Sequence, residues 1–351
     1  MSSFALFRLP YTTACTLVEQ VQGDPLELPA CAALGDSEGF VMAPFAPSAS
    51  VPVLLIRPDR VERIEQDADD AAWQSLVGHI VFDLPSLRSA AVVHPRSDYH
   101  IDFANFHTHL LSGDFQKLVL SRSIDLPRKD SDSPFALFRK ACRCYPRMFI
   151  SLVYTPKSGL WLAATPETLL EGGGGQWRTV ALAGTTAYSD KVFWSDKNIE
   201  EQRYVATYIT RTLEHFTSDF SEDGPHTVRA GHLAHLRSDF RFVLPPSAQV
   251  GALLQALHPT PAVCGLPKLP AFRFIRQYEH HDRSYYSGFM GPMLIGGETR
   301  LFVTLRCMQI QVGSYRLYAG GGLLRDSDEE QEWQETETKL DTMRRVIGAG
   351  E

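Results

Sequence analysis

Asp326-Ser-Asp-Glu-Glu-Gln-Glu-Trp-Gln-Glu-Thr-Glu-Thr-Lys-Leu340 is the stretch whose reading organises the rest of the chain. Ser327, with Glu330 three residues on, has the form of a capping box, so a helix is expected to start at Ser327 and run to about Val346. Acidic residues in the first turn suit the positive end of the helix dipole. On that helix Glu332, Glu335 and Lys339 lie at i, i+3 and i+7 and share one face. Two carboxylates and an ammonium on one face can hold a divalent metal and a carboxylate substrate together. The plainer reading is a solvated acidic face. An EF-hand fails on Asp326-x-Asp328, because the glycine and the spaced ligands are missing.

Working outward, a second long helical pattern covers Asp196–Phe216, and shorter ones cover Ala71–His79 and Pro134–Cys144, the latter with Ser133 as its cap. Strand character marks Phe115–Arg122, Met148–Tyr154, Gly159–Ala164, Trp177–Ala183, Arg241–Leu244, Thr299–Ile310 and Tyr315–Ala319. The Gly172–Gly175 run reads as a turn, since no Gly-Lys-Ser/Thr follows it. Residues 1–110 read as short strands and loops. Long strand runs with helices between them suggest one α/β (α+β) domain around a large sheet.

The 351 residues, 44% of them hydrophobic, suffice for a sizeable core. A net charge of −7 gives no global basic field, so neither nucleic acid nor an acidic membrane surface is an expected partner. No run of about 20 apolar residues is present to span a membrane. The N-terminus lacks the pattern of a secretory signal, and the expected location is the cytoplasm. The six cysteines show no framework spacing and read as structural thiols.

Further residues carry candidate chemistry. Glu201 lies on the buried stripe of the 196–216 helix with Val205, Ile209 and Leu213, where a carboxylate needs a salt-bridge partner or a metal. Lys117, on an apolar strand, is an edge gatekeeper or a desolvated base. Glu167 follows Pro166 at a strand end, and Leu182-Ala-Gly184-Thr185 runs a strand into a glycine turn whose amides can meet an anion. Gly231-His232-Leu-Ala-His235-Leu-Arg-Ser238 carries two histidines, and a lone histidine in such a run is more often satisfied or partly exposed than catalytic. Arg306 shares an expected strand face with Thr304 and can clamp a carboxylate. His107-x-His109 offers a metal-hydrolase pair, with surface histidines the plainer reading.

Taken in order, these segments resemble the chorismate-utilising enzymes: isochorismate synthase, anthranilate synthase component I, aminodeoxychorismate synthase component I and salicylate synthase. The resemblance covers about residues 110–346. It implies one domain with a mainly antiparallel β-core flanked by helices, residues 1–110 being its variable N-terminal part and 111–351 the chorismate-binding catalytic region. It implies Mg²⁺ held by Glu201 and Glu335 with support from Glu332, and substrate carboxylates met by Tyr286, Arg306, Lys339 and the backbone at Gly184, Gly320 and Gly321. His235 would lie near the C4 hydroxyl, Lys117 would activate water for attack at C2, and Glu167 would protonate the departing C4 hydroxyl.

Within the family three positions agree on isochorismate synthase. Ala183 stands where aminodeoxychorismate synthases with a lysine nucleophile carry it in Ile-Lys-Gly-Thr. Lys117 stands where anthranilate synthases carry Gln, and Ala262, in His-Pro-Thr-Pro-Ala, stands where salicylate synthases and the aminating enzymes usually carry Thr. The pattern departs from the family at Gln202, where many relatives have His, and at Gly321, where Ala is usual. The reading therefore expects chorismate as substrate, no obligatory protein partner, and isochorismate destined for menaquinone or a siderophore. Salicylate synthase and an amidotransferase-dependent aminating subunit are the alternatives.

Overall fold

Phe149–Thr155 and Gly159–Thr165 contain no charged residue and are buried end to end. Strands of that composition need cover on both faces. Two stacked sheets with helices on their outer faces supply it. The computed structural model describes residues 3–84, 96–129, 132–189, 192–230, 233–245 and 249–348.

Strands β1 (Ser3–Arg8), β2 (Ala14–Gln20), β3 (Leu26–Leu28), β4 (Gly39–Ala43), β5 (Val53–Ile56) and β6 (Arg60–Glu65) come before helices α1 (Asp70–Val77) and α2 (Arg96–Leu111). There follow β7 (Lys117–Pro127), α3 (Pro134–Cys144), β8 (Phe149–Thr155), β9 (Gly159–Thr165), β10 (Thr168–Gly173), β11 (Gln176–Ala187) and α4 (Asp196–Leu213). The chain continues through β12 (Phe220–Ala230), β13 (Leu233–Val243), α5 (Val250–Leu257), β14 (Gly265–Leu266) and α6 (Lys268–Tyr278). It ends with β15 (Phe289–Met293), β16 (Thr299–Val303), β17 (Cys307–Ile310), β18 (Ser314–Leu323) and α7 (Glu329–Ile347).

The first sheet runs β14-β7-β18-β17-β9-β8-β1-β2-β6 and the second β12-β13-β11-β10-β16-β15-β4-β5-β3, with the strand pairs antiparallel. The N-terminal strands are integral: β1 pairs with β8 and β4 with β15. Helices α1, α3 and α7 cover the outer face of the first sheet, and α4 and α5 that of the second. Between the sheets Phe7, Phe40, Phe149, Trp161, Met290 and Phe302 form a shared core, with the Phe149 and Phe302 rings stacked at 4.2 Å. Helices α2 and α6 close over β7.

Several expectations are corrected. The C-terminal helix is capped by Asp328, whose side chain accepts from the Gln331 amide. Ser327 accepts from the Leu324 amide and donates to Glu332 at 2.7 Å, so the Ser327–Glu330 capping box does not form. Thr299–Ile310 is not one strand: β16 belongs to the second sheet and β17 to the first. The chain crosses at Thr304–Arg306, with Arg306 at φ 45°, so Arg306 and Thr304 share no strand face. The strand expected at Arg241–Leu244 begins at Leu233 and so carries His235.

Helix α2 lies where only strands and loops were read, although Tyr99, Phe103, Phe106 and Leu110 give it a buried stripe at helical spacing. On it His107 meets the Arg325 carbonyl and His109 meets Asp114, which disposes of the hydrolase pair. The cap at Ser133, the turn after β10 and the buried stripe of α4 stand as expected. Among the described residues no helix is long and apolar enough to cross a membrane.

Candidate active site

Where the two sheets part, between β7, β18, α4 and α7, one cavity gathers residues from nearly every segment singled out in the sequence. Glu167, Gly184, Glu201, His235, Ala262, Tyr286, Arg306, Gly320, Glu335 and Lys339 all line it. It is narrow, ≈ 50 Å³. A surface groove along α4 is larger, ≈ 760 Å³, but none of the candidate site residues lines it. Convergence of polar groups, and not size, picks out the site.

Lys117, the first residue of β7, is fully buried, and its Nζ lies 2.8 Å from Glu201 Oε1. Of its two sequence readings, the edge gatekeeper is excluded. Burial alone would push the Glu201 carboxyl up, but Lys117, with Lys197 and Lys339, outweighs it and the pKa is lowered. The contact depends on Gly322, where a Cβ would stand 2.3 Å from Glu201 Oε1 and 2.8 Å from Lys117 Cε. Glu201 Oε2 also accepts from the Gly184 amide at 3.2 Å. Gly184 sits at φ 66°, where β11 shifts register against β13, a conformation that favours glycine.

Two more carboxylates face the same glycine strand. Glu335 Oε1 receives Lys339 Nζ at 2.6 Å, and Lys339 also donates to the Gly320 carbonyl at 2.8 Å. Glu332, 1% exposed, is bonded by Lys197 of α4 and by Ser327. Its carboxyl pKa is raised by burial and by the charge of Glu335. Gly321 lies against this pair: a Cβ there would stand 3.1 Å from Glu332 Oε2. Each of the three acids is thus matched to a lysine from another turn or another element.

Glu167 stands at the junction of β9 and β10, held by its carbonyl to the Val303 amide at 2.9 Å. Burial pushes its carboxyl up to about 7, against the pull of Arg306, Lys117 and Lys339. His235 donates from Nδ1 to the Gly184 carbonyl at 3.1 Å. Burial, with Arg306 and Lys339, pulls its pKa down to about 3, so the ring is neutral at ordinary pH. Tyr286 stacks on Tyr318 at 5.4 Å. The Thr185 backbone pairs with His235; its side chain and the whole of His232 lie outside the described residues.

Other contributors were not singled out from the sequence. Gln202, noted only as a departure, accepts from the Ala183 amide and donates to the Ala181 carbonyl and to Ser238, tying α4 to the irregular strand. Arg283 and Glu279 form a buried pair at 2.6 Å. Arg283 donates to the carbonyls of Val119 and Val263, and Glu279 accepts from the amide and hydroxyl of Ser121. That pair holds β7, which carries Lys117, against the loop that carries Ala262. A glutamate and an arginine four residues apart gave no signal of this, because their partners are backbone groups far along the chain.

A family model described as "Chorismate binding enzyme" matches residues 61–348. The chain belongs to that family. Among curated relatives, the "Salicylate biosynthesis isochorismate synthase" of Pseudomonas aeruginosa is 35% identical over 54% of this chain and 42% of its own length. "Isochorismate synthase DhbC" of Bacillus subtilis is 31% identical over 68% of this chain and 65% of its own. The chain thus spans less than two thirds of the length of these relatives. Among solved structures, MenF, the menaquinone-specific isochorismate synthase from Escherichia coli, superposes with a TM-score of 0.79 at 22% identity, over 98% of this chain and 88% of that one. This last likeness establishes the fold.

The family's cavity here is suited to a hard divalent cation. Its acids supply oxygen donors, and Glu332 Oε2 is buried with no hydrogen-bond partner among the described residues. No group of three His, Cys, Asp or Glu is already gathered around one point among the described residues.

Proposed function

We propose that the chain is an isochorismate synthase, converting chorismate to isochorismate by Mg²⁺-dependent addition of water at C2 with loss of the C4 hydroxyl. The observation that carries this reading is a cavity lined by two carboxylates of opposite character: the buried Glu167, pushed up to about 7, and Glu201, which holds the buried Lys117 at 2.8 Å. Such a carboxyl keeps its proton near neutral pH and can deliver it to a leaving hydroxyl. Lys117 is the base that takes the proton from the attacking water. Arg306, deeply buried, and Lys339 supply the cationic contacts for the substrate's carboxylates. The neutral His235, fixed by Gly184, faces the same cavity as a hydrogen-bonding group at the C4 side.

Glu201 and Glu335, supported by Glu332, are the residues that would hold Mg²⁺. Bound there, the ion would neutralise the ring carboxylate and ease displacement. Ala183 and Ala262 favour water as nucleophile and isochorismate as end product over the aminating and pyruvate-eliminating reactions. The names of the relatives support the same activity. We assign the reaction to a cytoplasmic enzyme without an obligatory protein partner, feeding menaquinone synthesis, with a siderophore or salicylate as the alternative destination.

Chromatography of the products from chorismate, with and without EDTA, tests the reading. Isochorismate formed without ammonia or glutamine, and lost with EDTA, is the expected result. Salicylate, an aminated product, or full activity in EDTA would overturn it.

A further inference from the structure

A second cavity, of ≈ 360 Å³, lies beside the active site and takes no part in the reaction described. Five arginines line it: Arg147, Arg178, Arg229, Arg237 and Arg300. In a chain of net charge −7 this is a local reversal of sign. Among the described residues Glu171 is the one acid in the lining, and Arg178 and Arg300 share it. Arg237 is held by Asp239 and Arg300 reaches Glu298 at 3.7 Å. Arg229 lies over the Tyr188 ring at 4.3 Å, and Arg147 makes no ion pair among the described residues. Arg178 Nε is buried with no hydrogen-bond partner among them. Among the described residues the five arginines meet three acids, Glu171, Asp239 and Glu298, and their guanidinium forks are suited to carboxylate or phosphate.

The cavity is coupled to the active site by shared walls. Leu182 lines both. Pro166 and Thr168, on either side of Glu167, line this one, and Thr168 pairs with Phe302, also in its lining. We propose that this cavity is a separate anion site, taking a compact dianion, a phosphate or a dicarboxylate, and that its occupant bears on the placement of Glu167 through those neighbours.

Titration calorimetry at low ionic strength, with inorganic phosphate in one arm and succinate in the other, tests the proposal. It needs the wild type, the double variant Arg147→Gln/Arg229→Gln, whose positions are exposed, and Arg306→Gln in the substrate cavity. Saturable binding of either probe is expected, weakened about tenfold or more in the double variant and by added salt, and retained in Arg306→Gln. The arm that binds more tightly identifies the source. Failure of both probes to saturate, equal binding by the double variant, or loss of binding in Arg306→Gln would overturn it. None of these results depends on turnover of chorismate, so the proposed reaction stands or falls separately.

Discussion

The space between the two sheets has two ends, and they are filled by opposite chemistry. At one end the sheets touch, and Phe7, Phe40, Phe149, Trp161 and Phe302 close it with rings. At the other they part, and Lys117–Glu201, Lys339–Glu335 and Lys197–Glu332 stand around a small cavity. The aromatic end gains from removing apolar surface from water. The charged end carries the desolvation cost of ions, offset by their pairing and by backbone donors such as the Gly184 amide. A single architecture thus supplies a rigid end and a reactive one.

The comparison breaks most visibly at the reactive end. Lys117→Gln and Glu167→Gln should each lower kcat by about 10²–10⁴ while the far-ultraviolet dichroism stays that of the wild type. Chorismate consumption at the wild-type rate in either variant would remove the proposed acid and base. At the other end, Phe149→Ala should cost about 3–5 kcal/mol of stability, read from the urea midpoint, because it opens a cavity under a stacked ring. A cost under about 1 kcal/mol would mean that this end is not the rigid one.

A smaller effect separates the ends by pH. The Glu167 carboxyl, raised to about 7, is protonated below that pH and ionised above it. The rate limited by proton delivery should therefore fall about tenfold per unit above neutrality. A profile flat to pH 9 would exclude Glu167 as the acid. Smallest of all, Asp328→Ala should cost about 1 kcal/mol through loss of the α7 cap. Ser327→Ala, which leaves that cap intact, should act on Glu332 instead, and the two urea curves would tell these roles apart.

Legibility differed between the ends in the same way. The charged end was readable because Glu201 stands out on the α4 stripe and Lys117 on an apolar strand, and because Glu332, Glu335 and Lys339 share one face of α7. The groups that hold them were not readable. Gln202 and Arg283 act on backbone atoms of Ala181, Ala183, Val119 and Val263, which carry no sequence signal. Lys197 and Gly322 matter only through the approach of α4 to β18. The strand break at Thr304–Arg306 was hidden by an unbroken apolar run, since β16 and β17 have the same composition in different sheets.

The sequence by itself determined the class of fold, the residue types of the site and its family, because hydrophobic periodicity and the order of motifs are local properties of the chain. Only the tertiary structure decided which lysine faces which carboxylate, why Arg306 enters the cavity, and that Ser327 bonds Glu332 and does not cap α7. Those outcomes depend on distances between segments far apart in the chain, set by how two sheets stack and where they separate. No local pattern encodes them.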